Sequence, residues 1–124
     1  MPIRRETVET YLDGFRSSDH AKVLATLTDD VVWAIHGHRT TRGRDEFDEE
    51  IENPEFVGSP QLTVDRTFED GDVVVTTGEG RGAHREHGPF RFGFSDVFTF
   101  RGDLIARVDS YVVPLPDTPR PSGG

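Results

Sequence analysis

The chain reads as an α+β protein, three helices followed by a mainly antiparallel sheet, and three features of the sequence point there. Its first third places apolar residues at helical spacing. Its second half alternates in strand fashion between tight turns. One of those strands sets five phenylalanines and a single aspartate on one face. Together they predict a curved sheet that encloses an apolar pocket for a small organic molecule.

Val8, Tyr11, Leu12 and Phe15 fall at i, i+3, i+4 and i+7, one face of an amphipathic helix. Ser17-Ser18-Asp19 ends it, and Asp19 can cap a second helix that buries Val23, Leu24 and Leu27. Val31-Val32-Trp33-Ala34-Ile35 is β-branched and aromatic, hence a strand. His36 to Arg42 is polar loop. A third helix starts near Gly43, with Asp45 and Glu46 at its positive end, buries Phe47 and Ile51, and stops before Pro54. Leu62–Phe68, Val73–Arg85, Phe90–Arg101 and Leu104–Val113 then read as four strands of a meander. The turn at Glu69-Asp70-Gly71-Asp72 is the clearest signal among them, because Gly takes the positive φ that a hairpin requires. Helices on one face of such a sheet make the α+β plan.

The 124 residues hold one domain, expected over 1–113, with a Pro/Gly-rich tail over 114–124 expected to be disordered. A net charge of −9 without a segregated basic patch argues against a nucleic-acid partner. The absence of cysteine removes disulfides and thiolate chemistry. The start has no apolar stretch after its charges, unlike a secretory signal, and no apolar run approaches the ~20 residues that span a bilayer. A cytoplasmic protein without a membrane partner is the expectation.

On the strand from Phe90 to Arg101 the even positions are Phe90, Phe92, Phe94, Asp96, Phe98 and Phe100. They share one face. A carboxylate among five phenylalanines is costly to keep charged, so Asp96 needs a raised pKa or a dedicated donor. A carboxyl held neutral can donate a hydrogen bond to a developing oxyanion. The other reading pairs Asp96 with a structural arginine such as Arg66, or sets it at a bulge. Gly78, Gly80 and Gly82 bare one face of the neighbouring strand, which allows sharp curvature or close approach to its backbone. Trp33 is core or pocket wall. Tyr11 lies on the apolar helix stripe, where a buried hydroxyl needs a partner. His36-x-His38 and His84-x-x-His87 have spacings that metals use, but neither is completed by a nearby carboxylate in a recognisable motif, and no metal is assigned.

These pieces, in order, resemble a known family. Thr10-Tyr11-Leu12 through Ser18-Asp19, Leu27-Thr28-Asp29-Asp30-Val31-Val32-Trp33, Gly43-Arg44-Asp45, Gly82-Ala83-His84, Asp96-Val97-Phe98-Thr99-Phe100-Arg101-Gly102 and Asp109-Ser110-Tyr111 carry the likeness. Over residues 4 to 113 the chain resembles the SnoaL-like branch of the nuclear-transport-factor-2-like superfamily. The resemblance implies a cone of three helices on a strongly curved sheet with an internal pocket. It also implies a homodimer through the outer sheet face. Within that superfamily, ketosteroid isomerases hold an enolate oxygen with a helix Tyr and a protonated strand Asp, and Tyr11 and Asp96 match those positions. (That enzyme is the standard example of a neutral catalytic carboxyl.) At the position of the isomerase base stands Ile35, which cannot accept a proton, so His36 or His38 are candidates to replace it.

Asp109 looks like one aspartate of the limonene epoxide hydrolases, but Gly78-Glu79-Gly80 stands where their Arg-x-Asp pair belongs. SnoaL-like cyclases resemble this chain in carrying an acidic residue on the last strand, which makes Asp109 the preferred base. Periodicity pulls the other way. The even face of that strand, Leu104, Ala106, Val108, Ser110 and Val112, is the more apolar, which would leave Asp109 in a surface row with Arg107 and Tyr111. Both hold if a partner subunit covers the even face. The resulting expectation is a cofactor-independent enzyme of cyclase or isomerase type. Asp96, Tyr11, Asp109 and His36 would be catalytic, and Trp33, Ile35, Phe15, Phe94, Phe98 and His84 would contact an apolar, aromatic or polycyclic carbonyl substrate. The alternative is a ligand-binding or dimerisation module of the same fold without catalysis.

Overall fold

A computed structural model describes residues 3–51, 57 and 60–116. Helix α1 (Ile3–Arg16) buries Val8, Tyr11 and Leu12, the stripe expected from their spacing. Asp19 caps α2 (His20–Leu24), its carboxylate accepting the Lys22 N–H at 3.1 Å. Leu27, expected in this helix, instead opens strand β1 (Leu27–Ile35). The helix closes on the Val23 carbonyl, which accepts both the backbone N–H and the hydroxyl of Thr26. Leu27 then pairs with Ile105 and both side chains are fully buried, so sheet pairing outweighs helix continuation.

The polar segment after β1 is a second departure from expectation. Gly37, at φ +84°, turns the chain, and the His38 N–H donates to the Ile35 carbonyl at 2.9 Å. Strand β2 (Arg39–Arg42) then returns antiparallel to β1. As an edge strand it needs only one inward residue, Thr41, so its composition hides it. Helix α3 (Gly43–Ile51) buries Phe47 and Ile51 as expected. Its expected stop before Pro54 lies outside the described residues.

Four long strands complete the sheet: β3 (Gln61–Asp70), β4 (Val73–His84), β5 (Gly88–Arg101) and β6 (Leu104–Leu115). Their order with the first two is β2-β1-β6-β5-β4-β3, six strands where five were expected. All neighbours are antiparallel except β1 and β6, and the sheet curls around the helices without closing. Phe47, Phe98, Leu27, Ile105 and Val108 fill the space between the layers. Strand β6 reaches two residues into the expected tail, setting Pro114 opposite Phe92 and Leu115 opposite Arg91. Pro116 follows the strand, and residues 117–124 of that tail lie outside the described residues.

A β-bulge decides which face of β6 points inward. Thr99 pairs with Arg107 but Phe100 with Ile105, leaving Ala106 as the extra residue. Ile105 is therefore buried before the bulge, and Val108 and Ser110 after it. Arg107, Asp109, Tyr111 and Val113 fall on the outer, convex face. The one-residue slip is why Leu104 is partly exposed although it shares the parity of the inward residues.

Candidate functional site

The open end of the curled sheet holds a cavity of about 450 Å³, a size suited to a small organic ligand. Tyr11, Leu12 and Phe15 of α1 and Trp33 and Ile35 of β1 line it. Phe90, Phe92, Phe94 and Asp96 of β5 form the opposite wall. The alternation on β5 is what delivers this wall, since residues two apart share a face. Gly82, Gly80 and Gly78 stand in register opposite Phe90, Phe92 and Phe94. A Cβ on Gly80 would lie 2.1 Å from the Phe92 ring, and one on Gly82 2.8 Å from Phe90. The bare backbone at Gly80 and Gly82 thus serves as the bed on which the Phe92 and Phe90 rings lie, while at Gly78 the missing Cβ leaves room for the Thr63 carbonyl of β3.

At the inner end of the cavity, Asp96 sits opposite Ser110 in the β5–β6 ladder, and the Ser110 hydroxyl hydrogen-bonds its carboxyl. Trp33 Nε1 donates to Ser110 Oγ at 2.9 Å. The row indole N–H, serine hydroxyl, carboxyl is therefore oriented from the protein side. Burial pushes the Asp96 carboxyl up to about 6, against the opposing pull of the Ser110 hydrogen bond. Burial, and then the charge of Asp96, push the Tyr11 hydroxyl well above its ordinary value, so it stays a donor. The Tyr11 ring is held by Phe15 at 4.9 Å, Phe98 at 5.1 Å and Phe47 at 6.1 Å. Trp33 stacks on Phe47 at 4.5 Å. Phe47 thus supports both aromatic residues that carry polar atoms to this end of the cavity.

Asp96, Tyr11, Trp33, Ile35, Phe15 and Phe94 are brought together as expected; four other residues are not. Asp109 lies on the outer face beyond the bulge and does not line the cavity. Its carboxylate accepts from Arg107 Nε and Nη2, both at 3.0 Å, and lies 3.0 Å from His36 Nε2. The Arg107 guanidinium, and with it His36, holds that carboxyl below the ordinary carboxylate range. His36 follows it outward because strand alternation turns it away from Trp33 and Ile35, and its ring stacks on Tyr111 at 4.4 Å. Neither residue can serve as the base of this cavity, and the epoxide-hydrolase comparison loses its aspartate with them. Phe98 is fully buried core beneath Tyr11. His84 ends β4, where its Nδ1 accepts the N–H groups of Glu86 and His87 at 3.1 and 3.3 Å.

The cavity also contains His38, named above as one of two candidate replacements for the base, and Glu50, which pattern reading passed over. Glu50 and His38 stand at its mouth beside Ile51, Val57 and Pro60. Glu50 follows Phe47 by three positions and precedes Ile51, so a carboxylate on the buried stripe of α3 was the available signal. Among the described residues no three His, Asp or Glu side chains converge as a metal site, and His36 and His38 lie on different sides of the sheet.

A family model for the SnoaL-like domain matches residues 8–108. The chain belongs to the SnoaL-like family. Solved structures share the fold at low identity. An NTF2-like protein of unknown function from Burkholderia pseudomallei is 22% identical, with 90% of this chain and 91% of that chain covered and a TM-score of 0.81. A protein described as a polyketide cyclase from Xanthomonas campestris is 19% identical over 89% and 90% of the two chains, with a TM-score of 0.80. An LEH-like epoxide hydrolase from M. tuberculosis is 20% identical over 90% and 83%, with a TM-score of 0.78. No curated protein matches this chain by sequence. One fold hosts several chemistries, so membership of the family does not by itself specify an activity. Among the described residues, no helix is long and apolar enough to cross a membrane.

Proposed function

We propose that this SnoaL-like protein binds an apolar carbonyl compound, aromatic or polycyclic, and catalyses its enolisation in an isomerase- or cyclase-type reaction without a cofactor. The observation that carries this reading is that the Asp96 carboxyl and the Tyr11 hydroxyl line one cavity whose walls are mainly apolar, near enough for the charge of Asp96 to act on the hydroxyl. Two donors aimed at one oxygen in a low-dielectric site stabilise the negative charge that the oxygen gains as an α-proton leaves. The C–H electron pair becomes the enolate double bond, the carbonyl pair moves onto oxygen, and return of the proton to another carbon completes an isomerisation.

A ketone oxygen only accepts, so it needs the protonated form of Asp96. With the Asp96 carboxyl titrating at about 6, the affinity for 2-tetralone should fall tenfold per pH unit above about that pH. Isothermal titration between pH 5 and 8 reads this directly. Asp96→Asn, whose amide donates at every pH, should flatten the profile, and Tyr11→Phe should weaken binding about tenfold. A flat profile in the wild type, or equal affinity in Asp96→Leu, would sink the reading.

The partner we propose besides the ligand is a second copy of this chain, docked through the convex face. Phe68, Tyr111 and Val113 are all about half exposed there, an apolar surface of the kind that marks contact sites. A single-chain mass in sedimentation at micromolar concentration would remove this part.

A further inference from the structure

Once Asp109 and His36 are placed outside, the proposed enolisation lacks a proton acceptor, and the mouth of the cavity supplies one. We propose that His38 is the catalytic base and that Glu50, held by Arg39, is the residue that positions it. The inference rests on the carbonyl site read above and adds its missing reactive group.

The placement begins at Gly37. Its positive φ and the His38 N–H···O=C Ile35 hydrogen bond reverse the chain immediately beyond Ile35. The turn carries His38 back over the cavity three residues past the position where Ile35 itself cannot act. His38 and Glu50 both line the cavity. The Glu50 side chain is only 10% exposed, with Oε2 3.4 Å from His38 Nε2 and Oε1 3.1 Å from Arg39 Nη1. These are the charged groups facing the imidazole, Glu50 from α3 and Arg39 from β2. A carboxylate at Nε2 favours the tautomer with its proton there, which leaves Nδ1 as the lone-pair nitrogen. It also stabilises the imidazolium formed when Nδ1 takes a proton, the role a buried acid plays behind a histidine base. Arg39 neutralises the carboxylate, so Glu50 does not present an uncompensated charge to an apolar ligand.

The cavity then has two poles. Asp96 and Tyr11 donate at the inner end, and His38 accepts at the mouth, on side chains from different elements of the fold. In the forward step the α-carbon's proton passes to His38 Nδ1, its electron pair enters the enolate, and the oxygen charge falls to Asp96 and Tyr11. The imidazolium returns the proton to the same or a conjugated carbon. No oxidant, metal or further reactant enters the balance. Substrates of this site are carbonyl compounds whose acidic C–H lies toward the mouth when the oxygen lies at Asp96.

The test follows deuterium uptake at the α-carbons of 2-tetralone in D2O by proton NMR. Wild-type protein should accelerate exchange over buffer, and His38→Gln should slow it about 100-fold, in the range of a lost general base. The pH dependence of 2-tetralone binding that reports Asp96 should persist in that variant. Because His38 is about half exposed, added imidazole should restore exchange to His38→Gly in proportion to its concentration. Glu50→Gln should lower kcat for exchange about tenfold while KM for 2-tetralone and the melting temperature stay at their wild-type values; a merely structural role would move KM and melting together. Exchange by His38→Gln at the wild-type rate would overturn the assignment while leaving the proposed enolisation intact; wild-type exchange no faster than buffer would overturn both and leave only ligand binding. Failure of the ligand reading shows separately, as loss of pH-dependent binding in the wild type.

Discussion

Asp96→Asn should make the ligand-free protein more stable at pH 8, by up to about 3 kcal/mol, and change its stability little at pH 4. The sign follows from linkage. The folded-state carboxyl titrates at about 6, against an ordinary value of 3.8. Between those values the folded chain holds a proton that the unfolded chain has released, so stability falls as pH rises. The loss is complete above about 6, and the rise from 3.8 to about 6 corresponds to about 3 kcal/mol. Asparagine has no proton to release, keeps the shape of the side chain, and can still accept from Ser110. Urea denaturation of both proteins at pH 4, 6 and 8 gives the comparison. A variant less stable than wild type at pH 8 would mean that Asp96 is a well-solvated or well-paired structural carboxylate. A gain would identify it as a group kept at a cost to the fold, which is characteristic of functional sites.

The second large effect is expected at a residue that touches no ligand. Phe47→Ala should cost about 3–5 kcal/mol, the range for deleting a buried aromatic side chain and leaving its volume unfilled. Phe47 is fully buried on α3, stacked under Trp33 and edge-on to Tyr11 and Phe15. Its removal leaves Trp33 and Tyr11 without a floor, so ligand affinity should fall together with the melting temperature. Phe47→Leu, which refills much of the space, should recover most of both. Loss of stability with unchanged ligand affinity would show that Trp33 and Tyr11 are positioned by other neighbours.

How legible the molecule was depends on whether a feature is periodic along the chain or assembled across it. The phenylalanine face of β5 and the stripe of α1 are repeats of two and of three-to-four residues, and both stand where the pattern puts them. The SnoaL-like resemblance located Tyr11 and Asp96 in one cavity. It misled at Asp109, where strand alternation was the better guide and a bulge at Ala106 sets the face. Strand β2 escaped because an edge strand needs almost no apolar residues, and Leu27 because its pairing with Ile105 is a long-range contact. His38 and Glu50 meet only after Gly37 reverses the chain and α3 packs across it. Ser110 is the single hydroxyl on an otherwise apolar face, and only its register against Asp96 makes it a partner.

The central claim is that Asp96 is a proton-bearing carboxyl directed at a ligand oxygen, and the carbon-13 shift of its own side chain tests that most directly. Titrating the Asp96 carboxyl carbon by NMR, assigned with Asp96→Asn, should give a midpoint of about 6 in the empty protein. Saturating 2-tetralone should move it higher, because a bound acceptor selects the protonated form. A midpoint near 4 that ignores the ligand would contradict the account and make Asp96 an ordinary strand carboxylate.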